Sequence, residues 1–510
     1  MTGNAAEWFV DRHLNEGRAD KVAFREASGQ ERNLTYGALA QDAGRVAGAL
    51  ARAGMRREER AAMFVLDQIE WPQIFWGALK AGVVPIPVNT LLSAEIYQAI
   101  LRDSRASMAF VSHELLPVLQ DVLKNAPDLR QIVVIGGKTP DQMTDFAHFV
   151  LDAPVLPTCA CSPDEVAFWL YSSGSTGAPK GVRHVHASMQ VTCDTYAKQV
   201  LGIREDDVIF SAAKLFFAYG LGNGLTFPMS VGATAILYNA RPTPETVSGV
   251  LQTQKPTIFG GVPTLYGALL AHWDQTQRPD CPLRICISAG EALPAEIGKA
   301  WQKSWGVDIL DGVGSTEMLH IFLSNAADDV TYGTSGTAVP GYDLRLVDET
   351  GQDVPPDTVG ELLVRGGSAA ADYWNQRTKS RTTFEGEWTR TGDKYERNAA
   401  GRYTYCGRTD DMFKVSGIWV SPFEVEQALI AFPPVLEAAV VAHRDDDGLE
   451  KPKAFVVLKP GETNDALDGV VDFVKGKIGL WKYPRWVDVV DDLPKTATGK
   501  IQRFKLRSSA

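Results

Sequence analysis

The segment YSSGSTGAPKG at residues 171–181 combines hydroxyl side chains, glycines and one lysine directly after the apolar run VAFWLY. Glycines let backbone N–H groups approach an anion closely, and serine and threonine hydroxyls add further donors. A strand followed by such a loop suits phosphate oxygens, with Lys180 supplying the compensating charge. A solvated surface turn has the same composition, so the loop alone does not decide between the two.

A Walker A loop is the main functional alternative, because it also uses glycines and a lysine. That motif, GxxxxGK[ST], needs a lysine that opens a helix and a neighbouring hydroxyl that reaches magnesium. Here Lys180 lies between Pro179 and Gly181, and these neighbours do not favour a helix start. The loop therefore indicates a different way of binding phosphate.

Further motifs follow along the chain: DGVGSTE at 311–317, TGD at 391–393, GRTDD at 407–411 and PKTATGK at 494–500. Together with the first loop, and in this order, they resemble the signatures of the adenylate-forming superfamily, which includes acyl-CoA synthetases, adenylation domains of peptide synthetases and luciferases. The resemblance covers nearly the whole chain. It implies a reaction in which a carboxylate joins the α-phosphate of ATP and pyrophosphate leaves.

The resemblance also implies a nucleotide site. Its ATP-binding residues would be Ser172, Ser173, Gly174, Ser175, Thr176, Gly177, Lys180, Gly290, Glu291, Ala292, Asp311, Gly312, Thr316, Asp393 and Arg408. Thr316 would contact the α-phosphate, Asp393 the ribose hydroxyls, and Arg408 the ribose or phosphate oxygens. Glu317 would hold Mg²⁺, a hard cation that favours oxygen ligands. Taken singly, each of these residues also fits an ordinary surface position.

Lys500 and Arg408 are the catalytic candidates that the resemblance implies. A lysine on a glycine-containing loop can act as a mobile cation that bridges the carboxylate and the α-phosphate and stabilises charge in the transition state. Outside the motif TATGK, the same lysine would be interpreted as a surface residue.

In the second half-reaction a thiol attacks the acyl-adenylate, and the family rotates its small C-terminal domain between the two steps. Asp410 matches the hinge position. Lys414, Ser416, Gly417 and Trp419 would line the tunnel for the pantetheine of coenzyme A. Trp419 stands where acetyl-type relatives often have arginine, so the residues that bind the CoA phosphates stay open.

The carboxylate pocket would come from FFAYGLGNG at 216–224 and EMLHIFLSN at 317–325. Aromatic rings beside small residues can clamp a flat ring, although such segments are also common in protein cores. The pocket residues would be Phe217, Ala218, Tyr219, Gly222, Gly314 and His320.

Long stretches such as SAAKLFFAYGLGN and KVSGIWVSPFE resemble benzoate-CoA ligases in particular. This resemblance implies an AMP-forming ligase that uses ATP, Mg²⁺ and coenzyme A on benzoate, with hydroxy-, amino- and fluorobenzoates left open. One alternative is an enzyme that transfers an aryl acid to a separate carrier protein. A non-catalytic sensor is another, but it predicts damage at Glu317, Asp393, Arg408 and Lys500, which are all intact.

The composition excludes several other classes. A net charge of −11 without a basic run argues against nucleic-acid binding. No stretch reaches the roughly 18 apolar residues of a membrane span, and the N-terminus lacks a signal-peptide pattern, so the sequence predicts a cytoplasmic protein without a membrane partner. Six cysteines are too few for a disulfide scaffold. The oligomeric state stays open, a homodimer included.

The elements that would position these residues are strands alternating with helices. Residues 61–89 and 108–137 each have a βαβ pattern, and 187–238 repeats it. From about residue 341 short alternating strands predict a small β-rich subdomain. The sequence therefore predicts an α/β fold with a large N-terminal domain of parallel-type sheets, residues 1–409, and a small mobile α+β domain, residues 410–510, hinged near Asp410.

Overall fold

The computed structural model describes residues 3–28, 32–173, 179–409, 411–415, 418–445, 449–479, 482–495 and 501–508. Its packing divides the chain into two compact units. The first contains Met1–Asp343 and Val364–Thr389, and the second contains Leu344–Leu363 and Arg390–Ala510. The predicted boundary near residue 410 is the hinge about which the C-terminal domain would rotate, and it stays a prediction. Asp410 itself lies outside the described residues.

The strands are, in chain order, β1 (Val22–Glu26), β2 (Asn33–Thr35), β3 (Arg60–Phe64), β4 (Val84–Pro87), β5 (Met108–Ser112), β6 (Gln131–Ile135), β7 (Thr144–Asp145), β8 (Val166–Ser173), β9 (Pro179–Val185), β10 (Val208–Ser211), β11 (Thr234–Leu237), β12 (Ile258–Gly261), β13 (Ile285–Ser288), β14 (Ile309–Gly314), β15 (Ile321–Ser324), β16 (Thr337–Ala338), β17 (Asp343–Val347), β18 (Gly360–Arg365), β19 (Asp372–Tyr373), β20 (Phe384–Glu385), β21 (Trp388–Arg397), β22 (Tyr403–Arg408), β23 (Phe413–Val415), β24 (Ile418–Val420), β25 (Val435–Arg444), β26 (Glu450–Leu458) and β27 (Trp486–Val489).

The α-helices are α1 (Arg12–Asn15), α2 (Tyr36–Arg52), α3 (Glu70–Ala81), α4 (Ala94–Ser104), α5 (Leu116–Lys124), α6 (Phe146–Val150), α7 (His186–Thr192), α8 (Ala218–Leu221), α9 (Phe227–Val231), α10 (Pro244–Gln254), α11 (Pro263–Trp273), α12 (Ala295–Trp305), α13 (Arg377–Thr383), α14 (Pro422–Ile430), α15 (Val470–Ile478) and α16 (Arg503–Ser508). Short π-helices span Glu7–Asp11, Cys193–Val200 and Gly222–Thr226, and 3₁₀ turns span His113–Leu115 and Asn464–Leu467.

The larger sheet of the first unit runs in the order β16-β15-β14-β13-β12-β10-β11-β1-β2. Its six central strands, from β14 to β1, are parallel, because helices return the chain to the same end of the sheet. The carboxyl ends of β12, β13 and β14 therefore meet at one edge, where Gly261, Ser288 and Asp311 are neighbours in register.

One face of this sheet is covered by α10, α11 and α12. Buried residues such as Phe210, Phe259, Tyr266 and Trp301 belong to a single apolar cluster there. Burying such large side chains stabilises the sheet by about 1.5–3 kcal/mol each. The sheet can therefore act as a rigid platform for the loops at its carboxyl edge.

A second sheet, in the order β4-β3-β5-β6-β7, is parallel throughout. A third, β19-β9-β8, is antiparallel and contains the hairpin that carries the first motif. The predicted parallel-type sheets of the first domain are thus confirmed.

The second unit has two β-rich parts. Strands β17, β18, β21 and β22 are members of one sheet, in which β21 and β22 pair antiparallel, as the predicted β-rich subdomain requires. Strands β25, β26 and β27 form a three-stranded sheet, and α14 and α15 add Val425, Leu429, Val470 and Val474 to its core. This α+β composition matches the prediction for the C-terminal region.

Candidate active site

The first motif lies on the β8–β9 hairpin. In this hairpin Ser172 pairs with Lys180 and Ser173 pairs with Pro179. The Ser172 hydroxyl is buried and has no hydrogen-bond partner among the residues that the structure describes, as expected for a donor used by a ligand. The predicted phosphate-loop residues between the two strands, Gly174, Ser175, Thr176 and Gly177, lie outside the described residues.

Glu317, the predicted metal ligand, is held by two partners. The Tyr373 hydroxyl donates to its Oε1 atom at 2.7 Å, and the Lys180 Nζ atom lies 3.8 Å from the same oxygen. Lys180 also stands 4.6 Å from the centroid of the Tyr373 ring. The structure therefore joins the first and second motifs through a tyrosine that the sequence analysis missed.

His184 is a second residue that the sequence analysis missed. Burial lowers the pKa of His184 to about 4, so its imidazole is neutral and its Nε2 atom donates to the Thr316 carbonyl at 2.8 Å. The ring stacks on Phe168 with centroids 5.2 Å apart. This bond fixes the backbone just before Glu317.

The predicted ATP-binding residues Gly290, Glu291, Ala292, Asp311 and Gly312 follow β13 or lie on β14. Gly290 (φ 95°) is in the left-handed region, which glycine adopts without strain. Burial raises the pKa of Asp311 to about 8, and its Oδ2 atom accepts the Leu293 N–H at 3.4 Å. At neutral pH this carboxyl is largely protonated and can both donate and accept hydrogen bonds. Glu291 and Ala292 are half-buried beside it, and Gly312 pairs with β15.

The predicted carboxylate pocket assembles around His320. Burial lowers the pKa of His320 to about 3, so the ring is neutral, and its Nε2 atom lies 3.3 Å from the Tyr219 carbonyl. The Tyr219 hydroxyl donates to the carbonyls of Gly261 and Ile287 at 3.1 and 2.9 Å. The two rings are stacked with centroids 5.7 Å apart.

Two positions in this pocket require glycine, because atoms of His320 lie close to their backbones. A Cβ atom at Gly222 would lie 2.3 Å from the His320 ring, and one at Gly314 would lie 2.5 Å from the His320 carbonyl oxygen. Tyr219, Gly222, Gly314 and His320 are thus brought together. Phe217 and Ala218 begin this segment and are half-buried, and Phe217 packs its ring against Phe216.

Three further aromatic or polar residues complete this region and were not predicted. Tyr196 and Phe227 place their rings 5.3 and 4.4 Å from the His320 ring, and Asn223 is buried next to Gly222. Tyr196 is far from His320 in sequence, so its role could only have been found from the packing.

In the second unit, Asp393 and Arg408 are cross-strand neighbours on β21 and β22. The Arg408 guanidinium donates to Asp393 Oδ1 at 2.9 Å and to the Thr391 carbonyl at 3.0 Å. The Arg408 side chain is 44% exposed and the Asp393 side chain 14%. The structure brings the predicted ribose-binding pair together.

Several predicted residues of the second unit cannot be placed. Lys500, Asp410, Ser416 and Gly417 lie outside the described residues. The backbones of Lys414 and Trp419 pair with each other in the β23–β24 hairpin. The roles of these residues stay predictions.

Two kinds of feature are absent from the described part of the chain. No helix there is long and apolar enough to cross a lipid bilayer. No group of three or more histidine, cysteine or acidic side chains in those ranges could hold a metal ion.

Comparisons with known proteins show the family of the chain. Residues 10–374 match the AMP-binding enzyme family, and residues 424–500 match the AMP-binding enzyme C-terminal domain. The chain is 53% identical over 510 residues to a benzoate-CoA ligase of Thauera aromatica, covering 99% of this chain and 96% of that protein. It is 52% identical over 513 residues to a 4-hydroxybenzoate-CoA/benzoate-CoA ligase of Rhodopseudomonas palustris, covering 99% and 94%.

A solved structure gives the same answer. The crystal structure of a benzoate CoA ligase from Burkholderia xenovorans superposes with a TM-score of 0.90 at 48% identity and covers 99% of both chains. The family predicted from the motifs is thereby confirmed: the chain belongs to the AMP-binding, adenylate-forming family of enzymes.

Proposed function

We propose that the protein is an ATP-dependent benzoate-CoA ligase, which converts benzoate or a small substituted benzoate to its CoA thioester through an acyl-AMP intermediate. The observation that carries this proposal is the close packing of Tyr219, Gly222 and Gly314 around His320, next to the carboxyl edge of the large parallel sheet. The full-length identity of about half to two benzoate-activating ligases supports it.

In the first half-reaction, a carboxylate oxygen attacks the α-phosphorus of ATP. A new bond joins the carboxylate oxygen to the α-phosphorus. The bond from the α-phosphorus to the oxygen that bridges to the β-phosphate breaks, and pyrophosphate leaves. Both reactants are anions, so positioning and positive charge matter more than covalent help from the protein. Lys180, Arg408 and Lys500 would supply that charge, and the Ser172 hydroxyl would donate to phosphate.

The residues present fit Mg²⁺. Magnesium is usually held by one or two carboxylates together with substrate phosphates, and the Glu317 side chain is 16% exposed beside the phosphate hairpin. Glu317 would hold the ion, which when bound neutralises charge on the phosphate oxygens, and Thr316 would contact the α-phosphate. The Tyr373 hydroxyl and the His184 imidazole orient these two residues.

In the second half-reaction, the sulfur of CoA attacks the carbonyl carbon of the acyl-adenylate. The C–S bond forms, the C–O bond to AMP breaks, and the thiol proton passes to solvent. Rotation of the C-terminal region about Asp410 would exchange the Lys500 segment for the β23–β24 hairpin, on which Lys414, Ser416, Gly417 and Trp419 would line the pantetheine tunnel.

Replacing Asp410 with proline should impair thioester formation about tenfold and adenylate formation much less. The backbone on both sides is anchored, because the Thr409 N–H donates to Gly392 and the Met412 N–H donates to Arg408. Proline fixes its own φ and restricts the preceding residue, and a backbone change opposed in this way costs of order 1–3 kcal/mol. Single-turnover assays of each half-reaction give the two rates.

Asp410→Ala is the matched control, since it removes the carboxylate but leaves the backbone free. Equal losses in both half-reactions for the proline variant would contradict the hinge assignment.

The proposed function is tested with a panel of carboxylates in a pyrophosphate-release assay, with and without CoA. Benzoate should give about one equivalent of pyrophosphate per site without CoA, and continued release with benzoyl-CoA as product when CoA is added. Adenylate formation without acylation of CoA would instead favour transfer to a carrier protein. No release with any benzoate would overturn the proposal.

A further inference from the structure

Asn223 is a buried carboxamide directly after the pocket residue Gly222. Its side chain belongs to a residue that is 1% exposed, and neither its Nδ2 nor its Oδ1 atom has a hydrogen-bond partner within the described ranges. Buried amides without partners destabilise a fold, so such a group usually serves a ligand or a bound water.

The carboxamide faces a polar recess, formed by Ser211, Tyr219 and Asn223 over the backbone of Gly260. A Cβ atom placed on Gly260 would lie 3.4 Å from the Tyr219 hydroxyl, 3.5 Å from Asn223 Nδ2 and 3.7 Å from the Ser211 hydroxyl. Its three nearest neighbours would thus all be polar atoms.

The hydrogen atoms of the two hydroxyls are already used. Tyr219 donates to the Gly261 and Ile287 carbonyls, and Ser211 donates to the Ala213 carbonyl at 3.0 Å. Both oxygens therefore present lone pairs to the recess, while Asn223 presents two N–H donors and one carbonyl oxygen. A hydroxyl or amino group, which donates and accepts at once, complements this set.

The recess adjoins the residues of the predicted carboxylate pocket, because Tyr219 belongs to both. The Tyr219 ring stacks with His320, and its hydroxyl lines the recess. His320 is buried, and its Nδ1 atom also lacks a partner among the described residues. A ring bound against Tyr219 can thus direct a short polar substituent towards Asn223.

We propose that Asn223 is a specificity-determining residue, whose carboxamide binds a hydroxyl or amino substituent on the ring of a substituted benzoate. This inference rests on the proposed function. It extends that function from benzoate itself to benzoates with a small polar substituent, and it names the group that recognises the substituent.

The test is Asn223→Leu, which keeps the size of the side chain and removes its hydrogen bonds. The value of kcat/KM is measured for benzoate and for the three hydroxybenzoates and three aminobenzoates. For the best substituted substrate of the unaltered enzyme, the ratio of its kcat/KM to that of benzoate should fall about 10- to 50-fold.

Gly260→Ala provides a second variant that does not touch the carboxamide. Its methyl group would meet the three polar atoms at ordinary contact distances, so it should fold and should occupy the recess. The ratio of kcat/KM for the substituted substrate to kcat/KM for benzoate should fall in this variant too, even where either substitution also lowers kcat/KM for benzoate. Melting temperatures of both variants report whether they fold.

Each other outcome overturns the proposal. A ratio that stays constant in both variants would assign the amide to a structural water. An unaltered enzyme that converts benzoate but none of the substituted acids would show that the recess binds no ring substituent, while leaving the proposed function intact. An unaltered enzyme that does not convert benzoate either would overturn the proposed function, on which this proposal rests.

Discussion

Replacing Lys500 with alanine is expected to lower the rate of adenylate formation by roughly 10²- to 10³-fold, the cost of removing a group that stabilises transition-state charge. The carboxylate and the triphosphate are both anions, so they repel each other unless a positively charged group lies close to both. A lysine that bridges both groups acts only as the bond forms, so its loss should reduce kcat more than it raises KM for ATP.

The ends of the segment that carries Lys500 are anchored. Lys495 and Ile501 pair in an antiparallel bridge, and the Gln502 N–H donates to the Pro494 carbonyl at 2.7 Å.

ATP–pyrophosphate exchange measures the adenylation step of the Lys500 variant, and conversion of synthetic benzoyl-AMP with CoA measures the thioester step. The thioester step should change only a few-fold, roughly the scatter of a surface substitution. Lys495→Ala is the matched control, because that lysine pairs with Glu437 at 2.7 Å. A Lys500 variant that forms adenylate at the parent rate would remove Lys500 from the mechanism.

Much of the fold follows from local patterns in the sequence. Within the βαβ pattern predicted over 61–89 the helix is α3, and it ends where Gly82 adopts φ 71°. The pattern predicted over 108–137 begins with the strand β5, and the pattern predicted over 187–238 begins with α7, which continues as a π-helix. The spacing of the apolar residues and the identity of the turn residues make these predictions possible, because both features depend only on neighbours in the chain.

Within the pattern predicted over 187–238, the apolar segment VIFSAAKLFFAYG is only partly a strand. Only its first residues form a strand, β10, and the rest turns back towards α8. Asp67 accepts the Leu215 N–H at 3.3 Å and fixes this turn. Asp67 is far from Leu215 in the sequence, which explains why local patterns could not reveal the turn.

The same reason explains which site residues were missed. Tyr373, His184 and Asn223 act through contacts with groups that are remote in sequence or through atoms without a partner. Nothing in the local sequence marks Tyr373 or His184, and Asn223 lies in the segment FFAYGLGNG without being distinguished from its neighbours, whereas Lys180 and Glu317 lie in motifs. Family signatures thus predict the residues that would touch the nucleotide, and the three-dimensional packing identifies those that orient them.

Replacing Glu317 with glutamine should lower kcat/KM for ATP about 10²-fold, because the change keeps the shape of the side chain and removes the charge that would hold Mg²⁺. Metal-based charge stabilisation contributes several kcal/mol, and about 3 kcal/mol corresponds to this factor. The concentration of Mg²⁺ that gives half-maximal rate should rise in parallel. Calorimetric titration of ATP with increasing Mg²⁺, without benzoate, checks the same effect without turnover.

Tyr373→Phe provides a graded version of this change, since it keeps the ring and removes only the 2.7 Å hydrogen bond to Glu317. One such bond contributes about 0.5–1.5 kcal/mol, so the Mg²⁺ requirement should rise a few-fold and less than for Glu317→Gln. Tyr36→Phe removes a comparable buried bond, to the Ala233 carbonyl at 2.7 Å, and should lower the melting temperature without moving the Mg²⁺ requirement. If both tyrosine variants respond to Mg²⁺ alike, Tyr373 contributes to stability alone and does not orient Glu317.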